Sequence, residues 1–127
     1  MKIILERTMS CFFSDTSQEE DYHFYDIIVD GHTVGTIDLL DHFNDINDVC
    51  YVERIDIDED NRGKGIGTEV LTKALWDICG YRSVVVAPDN ERAKSLYERI
   101  GKEYEYQPWN CETDFGYNDQ GYGVYVI

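Results

Sequence analysis

The chain has 127 residues, a formal net charge of −15 and 43% hydrophobic residues, with only two prolines. These values fit one folded domain, residues 1–127, and exclude a disordered chain. No apolar run approaches the roughly 18 residues of a membrane span, and the apolar N-terminal stretch is too short for a signal peptide. We therefore expect a cytoplasmic protein without a membrane partner.

The first half of the chain predicts β-strands. Apolar and alternating stretches mark four of them, at residues 2–8, 22–29, 33–40 and 49–57. Asp30-Gly31, between the second and third strands, is a strong hairpin signal. The polar residues 14–21 predict a loop or one helical turn. Alternation in the fourth strand assigns one face to Tyr51, Glu53, Ile55 and Ile57.

The second half of the chain predicts two amphipathic helices, at about residues 65–79 and 91–100, each ended by a glycine. The inner stripe of the first helix is Ile66, Val70, Ala74, Leu75 and Ile78. Further strands are predicted at residues 83–87, 102–106 and 122–127. The order predicts an α/β (α+β) sandwich, with a mixed, mostly antiparallel sheet around a central β-α-β-α unit. Only the step from the fourth to the fifth strand needs a parallel crossover.

A basic, glycine-rich turn, residues 61–68, joins the fourth strand to the first helix. Its three glycines allow sharp turns with uncovered backbone N–H groups, and a helix N-terminus adds partial positive charge. This combination predicts a phosphate or pyrophosphate site. The spacing does not fit the dinucleotide fingerprint, because Gly67 comes one residue early. It does not fit the P-loop either, because Asp58 stands where a glycine is required.

The remaining pattern, R-x-x-G-x-G at Arg62, Gly65 and Gly67, resembles the acyl-CoA pyrophosphate loop of the GCN5-related N-acetyltransferases. The later segment Asn90-x-x-Ala93-x-x-Leu96-Tyr97-x-x-x-Gly101 is similar to that family's second cofactor motif. Each motif follows an apolar strand, and together they cover roughly residues 49–106. The resemblance implies acetyl-CoA as cosubstrate and no metal.

Two departures from the family pattern stand out. Glu59 replaces a proline that family members often carry, a change that only loosens a turn. The family usually has two helices between its first two strands, where this chain has a short polar segment. Because those helices wall one side of the acceptor site, their shortening implies a site that is open or is completed by the partner subunit of a homodimer.

The resemblance also assigns site residues. The cofactor-binding set is Ile57, Arg62, Gly63, Lys64, Gly65, Ile66, Gly67, Thr68 and Asn90. Tyr97 corresponds to the general acid that protonates the CoA thiolate, and Glu53 to a general base whose pKa apolar neighbours would raise. Each assignment has an alternative: Tyr97 as a packed aromatic, Asn90 as a helix cap, and Glu53 as a strand-end glutamate in water, with Tyr51 or a water chain as the base.

Charge is distributed unevenly along the sequence. Residues 54–102 are neutral, whereas residues 1–53 carry −10 and residues 103–127 carry −5. An anionic cofactor would thus meet the neutral part, and the acidic and aromatic remainder favours a cation. We expect a cationic primary amine as acceptor, either a small molecule or a basic protein, attacked directly in a ternary complex.

Several alternatives stay open at this point. The acidic residues can serve solubility alone, and the C-terminal aromatics can be ordinary strand residues. The first rival function is a non-enzymatic interaction protein that mimics a polyanion or inhibits a basic partner. The second is an enzyme of the same fold that uses another acyl-CoA, or a protein acceptor within a toxin or modification system. Direct nucleic-acid binding is not expected, because no basic patch exceeds its acidic neighbours. The four cysteines and three histidines are scattered, without the paired spacing that zinc needs, and are interpreted as free of metal.

Overall fold

Seven strands in the described part of the chain form one mixed sheet. The computed structural model describes residues 1–12, 21–41, 49–80, 83–86, 88, 90–103 and 125–127. The strands are β1 (Ile3–Phe12), β2 (Asp21–Val29), β3 (His32–Asp41), β4 (Val49–Ile57), β5 (Ser83–Val86), β6 (Lys102–Glu103) and β7 (Tyr125–Val126). Their order is β1-β2-β3-β4-β5-β7-β6. Among these pairs only β4 and β5 are parallel, so the predicted fold class is confirmed.

The N-terminal half is an antiparallel meander of β1 to β4. Asp30 and Gly31 both have positive φ, 49° and 87°, which is the backbone that a tight two-residue hairpin requires. Eight residues connect β1 to β2, too few for two helices, so the N-terminal helical region is shortened as predicted. The loop predicted at residues 14–21 ends earlier, because β2 already begins at Asp21; its other residues, and the aromatic tail 104–124, lie outside the described residues.

Two helical segments follow. The first joins α1 (Ile66–Glu69), a π-helix (Val70–Ala74) and α2 (Leu75–Cys79); the second is α3 (Glu91–Ile100). The predicted stripe is wrong at Ile78, which is 48% exposed, while Cys79 packs against the core. A π-turn holds more residues than an α-turn, so it rotates the residues that follow it. Within the described residues no helix is long and apolar enough to cross a bilayer.

A bulge at Glu53 interrupts the alternation of β4. Asp38 pairs with Arg54 and Leu39 pairs with Val52, so Glu53 is the extra residue. The prediction that Glu53 shares one face with Ile55 and Ile57 in unbroken alternation is therefore wrong. The β4 residues that belong to the core or pack against it are Cys50, Val52, Ile55 and Ile57.

The helices pack on one face of the sheet. Their buried residues form one cluster with Ile37 and Leu39 of β3 and with Val84 and Val86 of β5. The neighbouring β3 residues on the opposite face, Thr36 and Asp38, are exposed or half-buried. The apolar core therefore lies between the sheet and the helices, and the other face of β3 and β4 carries polar groups.

Candidate active site

A cleft of about 330 Å³ opens where β4 and β5 stop pairing. The two strands are paired from Val49 to Val52 and from Ser83 to Val86, and β4 then continues to Ile57 paired with β3 but not with β5. The end of β4, the glycine loop, the start of α1 and one side of α3 line this cleft. The two motifs, distant in sequence, therefore meet at one site.

The glycine loop turns through two left-handed residues. Gly63 has φ 76° and Gly65 has φ 80°, and nothing lies within 4 Å of the position that a Cβ would take at either residue. Glycine is therefore needed here for its backbone conformation rather than for space. Gly65 is the N-cap of α1, and the first-turn N–H groups that follow it have no acceptor within a helix. Such a turn suits an anionic group.

Arg62 braces this loop against the end of β4. Its Nε donates to the carbonyl oxygen of Ile57 at 2.8 Å, and its Nη2 lies 3.7 Å from Oδ1 of Asp56. Asp56 also lies 3.8 Å from Nη2 of Arg54. Because these side chains are largely exposed, the ion pairs contribute little stability. The hydrogen bond to Ile57 instead fixes the shape of the loop.

Of the other predicted cofactor-binding residues, all but one line the cleft. Ile57, Gly63, Gly65, Ile66, Gly67, Thr68 and Asn90 line the cleft with Arg62, whereas Lys64 does not. The ammonium group of Lys64 donates to Oδ1 of Asn61 at 3.4 Å. Gly67 faces α3, since a Cβ there would lie 3.5 Å from Cδ2 of Leu96. The loop and α3 are thus close neighbours.

Asn90 caps α3. Its Oδ1 accepts a hydrogen bond from the N–H of Ala93 at 2.8 Å, in the geometry of an N-cap residue. The capping alternative is therefore present in the structure, and Asn90 also borders the cleft. Its predicted contact with the pantetheine arm stays a prediction.

Tyr97 belongs both to the core and to the cleft. It is 5% exposed and lies in the apolar cluster, and its ring centroid is 6.4 Å from that of Tyr125. The packed-aromatic alternative therefore describes its ring, and the residue also lines the cleft. Its catalytic role stays a prediction.

Glu53 reaches the cleft through the bulge. The structure places Glu53 in the cleft lining and leaves Tyr51 outside it. The side chain of Glu53 is exposed, so the apolar surroundings expected for it are wrong. A carboxylate that meets solvent at the mouth of a cleft can take a proton directly or through water.

Sequence reasoning missed several charged residues in and beside the cleft. Arg54, Asp56, Arg92 and Arg99 line it. Arg92 and Arg99 are seven residues apart on α3, a spacing of two turns that could have been read from the motif. Asp38 lies beside the bulge, opposite Arg54. Burial raises the pKa of the Asp38 carboxyl, and the charge of Arg54 opposes that rise.

The comparisons with known proteins agree with this geometry. The sequence model of the Acetyltransferase (GNAT) family matches residues 3–101. The chain therefore belongs to the GNAT family, the GCN5-related N-acetyltransferases, and the resemblance seen in the two motifs is confirmed.

Three individual proteins illustrate the similarity. An L-2,4-diaminobutyric acid acetyltransferase from Halalkalibacterium halodurans is 33% identical over 70 residues, which make up 52% of this chain and 35% of that protein. An acetyltransferase from Thermus thermophilus has a TM-score of 0.61 at 18% identity, and the match covers 84% of this chain and 63% of that one. The F149G mutant of the spermidine N-acetyltransferase SpeG from Vibrio cholerae has a TM-score of 0.57 at 21% identity, with the same coverage.

These matches differ in what they show. The two structures share the fold with this chain. The chain spans about a third of the curated relative and less than two-thirds of each structure. The substrates in the names of these proteins are therefore properties of those proteins.

Proposed function

We propose that this protein transfers an acetyl group from acetyl-CoA to a cationic primary amine, by direct attack in a ternary complex. One observation carries the proposal: the glycine loop and the Asn90–Tyr97 segment, far apart in sequence, line a single cleft at the end of β4. Family membership supports acyl transfer. Among the described residues, no group of three potential metal ligands comes together.

The loop side of the cleft fits an acyl-CoA. The first-turn N–H groups of Ile66, Gly67 and Thr68 would bind the pyrophosphate, in a loop shape that Arg62 maintains. The edge of β4 beyond Val52, which β5 leaves unpaired, would bind the amide-bearing pantetheine arm of acetyl-CoA. Bound acetyl-CoA supplies the thioester carbonyl that the amine attacks.

The strand side and α3 supply the proton transfers. Glu53, exposed at the bulge, would accept the proton that the attacking amine loses, directly or through a water molecule. The new C–N bond forms as the C–S bond breaks. The Tyr97 hydroxyl would give its proton to the departing sulfur and recover it from solvent. Holding both substrates in one geometry contributes several kcal/mol to such a reaction.

The acceptor is proposed as a small molecule with two or more amino groups. Two similar proteins are named for diaminobutyrate and spermidine, both of which carry cationic amines. Glu53 and Asp56 line the strand side of the cleft, and Asp38 lies beside the bulge. These carboxylates can attract a cation, although Arg54 and Arg62 partly offset the charge of Asp56. A lysine or N-terminus of a basic protein is the second form that this acceptor class can take.

Calorimetric titration with acetyl-CoA, and separately with CoA, tests the cofactor site. We expect micromolar binding of both. Acetylation of spermidine, 2,4-diaminobutyrate and 1,3-diaminopropane then tests the acceptor, because the last two differ only by a carboxylate. Absence of acetyl-CoA binding at millimolar concentration would overturn the enzymatic function and favour the polyanion-mimic alternative. Binding of acetyl-CoA without acetylation of any of these three amines would overturn the small-molecule acceptor and direct the search to basic proteins.

A further inference from the structure

The C-terminal strand β7 contacts the part of α3 that carries Tyr97. Tyr125 of β7 is 2% exposed, and its ring is tilted by 51° to that of Tyr97 at a centroid distance of 6.4 Å. Tilted aromatic pairs at this separation attract each other beyond their burial. Tyr125, a residue of β7, therefore packs against one side of the Tyr97 ring of α3.

Tyr125 also contacts the residue that follows Tyr97 in α3. Its hydroxyl donates to Oε1 of Glu98 at 3.3 Å. Nζ of Lys94, one turn earlier, lies 3.8 Å from the same carboxylate oxygen. Because Glu98 and Tyr97 are adjacent, a contact that fixes Glu98 limits the rotation of α3 about its axis and so the direction of the Tyr97 side chain.

The sheet holds Tyr125 itself in place. Val52, Val86 and Tyr125 are consecutive partners across β4, β5 and β7, and all three are buried. This row is the last one in which β4 pairs with β5. Gly101 adds a close approach between the end of α3 and β7, since a Cβ there would lie 2.7 Å from the carbonyl oxygen of Val126.

We propose that Tyr125 and Glu98 are positioning residues that hold the Tyr97 hydroxyl where it can protonate the leaving sulfur. This inference rests on the proposed function, in which Tyr97 is the proton donor. A proton donor must lie within hydrogen-bond reach of its target. A displacement of about 1 Å can lower a rate by about 100-fold, so a contact outside the cleft can govern turnover.

Kinetics with acetyl-CoA and an accepted diamine test the hydroxyl contact. Tyr125→Phe keeps the ring and loses the hydrogen bond, so we expect kcat to fall about fivefold while KM for acetyl-CoA changes less than about twofold. Glu98→Ala should give the same loss, and Glu98→Gln, which keeps an acceptor oxygen, should restore most of it. The double variant Tyr125→Phe/Glu98→Ala should be no slower than either single variant. Losses that multiply in the double variant would overturn the shared contact.

A second measurement needs no acceptor. NMR of protein with ¹³C-labelled tyrosine rings reports the ring-flip rate of Tyr97, assigned by the missing signal in Tyr97→Phe. We expect Tyr125→Leu to speed this flip more than about tenfold, because it removes the neighbouring ring. Tyr25→Phe, which removes the hydroxyl that accepts from the Cys79 thiol, is the matched control and should leave Tyr97 unchanged. An unchanged flip rate in Tyr125→Leu overturns the positioning role. Absent acetyl-CoA binding overturns the proposed function instead, and a fully active Tyr97→Phe overturns the proton-donor role of Tyr97 on which this inference rests.

Discussion

The two sides of the cleft are built by different means. The loop side uses backbone: two left-handed glycines and the N–H groups of the first helical turn. The strand side uses exposed side chains around a bulge, namely Glu53, Arg54 and Asp56. The shape of a site made of backbone depends on how the chain turns, and the spacing of glycines in the sequence predicts such turns. The shape of a site made of side chains depends on strand register, which the local sequence predicts poorly.

This contrast predicts unequal sensitivity to substitution. A wrong backbone conformation or a like charge in the loop affects the whole anion site at once. A changed side chain on β4 removes one contact that water can partly replace. The largest effects should therefore come from the loop.

Gly65→Asp should abolish CoA binding. Any side chain at this residue strains its positive φ, and the new carboxylate would meet the phosphates, a juxtaposition that costs several kcal/mol and hence more than about 100-fold in Kd. Gly31→Asp is the matched control, because Gly31 also has positive φ and open space around it, in the β2–β3 turn. Calorimetry should show normal binding for the control. Similar losses in both variants would mean that strain, rather than the loop site, explains the result.

Tyr97→Phe should lower kcat by about 100-fold, the lower range for loss of a general acid, with CoA affinity unchanged. The ring contact with Tyr125 is kept, so the fold should survive. Steady-state kinetics and calorimetry on the same preparation separate turnover from binding. Full activity would make Tyr97 a structural residue.

The sequence was sufficient for the fold class and for the position of the glycine loop, while the binding role of that loop stays a prediction. Gly65 and Gly67 have the spacing of the family loop, and the loop conformation depends only on neighbouring residues. Helix α3 was predicted with its observed limits, because Asn90 and the apolar stripe both mark it.

The errors have a common cause in local departures from regular geometry. The bulge at Glu53 shifts the apolar phase of β4, and the π-turn at Val70–Ala74 shifts that of the first helical segment. Both irregularities are local changes of hydrogen-bond pairing that no particular residue type requires, so residue type alone does not reveal them. The exposure of Glu53 follows from how β4 pairs with β3, whereas that of Ile78 follows from the π-turn that precedes it.

Glu53→Gln should lower kcat by about tenfold in the pH range where a carboxylate base is ionised, with a smaller difference at acidic pH and with KM for acetyl-CoA unchanged. The effect is smaller than for Tyr97 because the exposed carboxylate has water as a substitute. Glu6→Gln, an exposed carboxylate on β1, is the control for net charge. A pH profile identical to that of the unsubstituted protein would assign the base role to a water chain.

Asp38→Asn should have the smallest effect, on stability rather than on rate. Burial raises the pKa of Asp38 above its ordinary value of 3.8, and Arg54 only partly offsets this. Because the folded-state pKa is the higher one, the contribution of Asp38 to stability is fully present below the unfolded-state pKa. It is lost as pH rises through the folded-state pKa. The asparagine variant should therefore have a higher urea midpoint than the parent near pH 7, and the difference should vanish near pH 3.

Asp77→Asn, on the exposed surface of α2, removes the same unit charge and measures the part of any gain that comes from lowering the net charge of −15. An equal gain in this control would show that the location of Asp38 is irrelevant. A gain confined to Asp38 would mean that the strand side keeps a half-buried carboxylate at a cost in stability near neutral pH. The loop side needs no comparable charge, because its anion site is made of backbone. In that case the Asp38 carboxylate lowers the stability of the fold near neutral pH while it places a negative charge near the proposed acceptor.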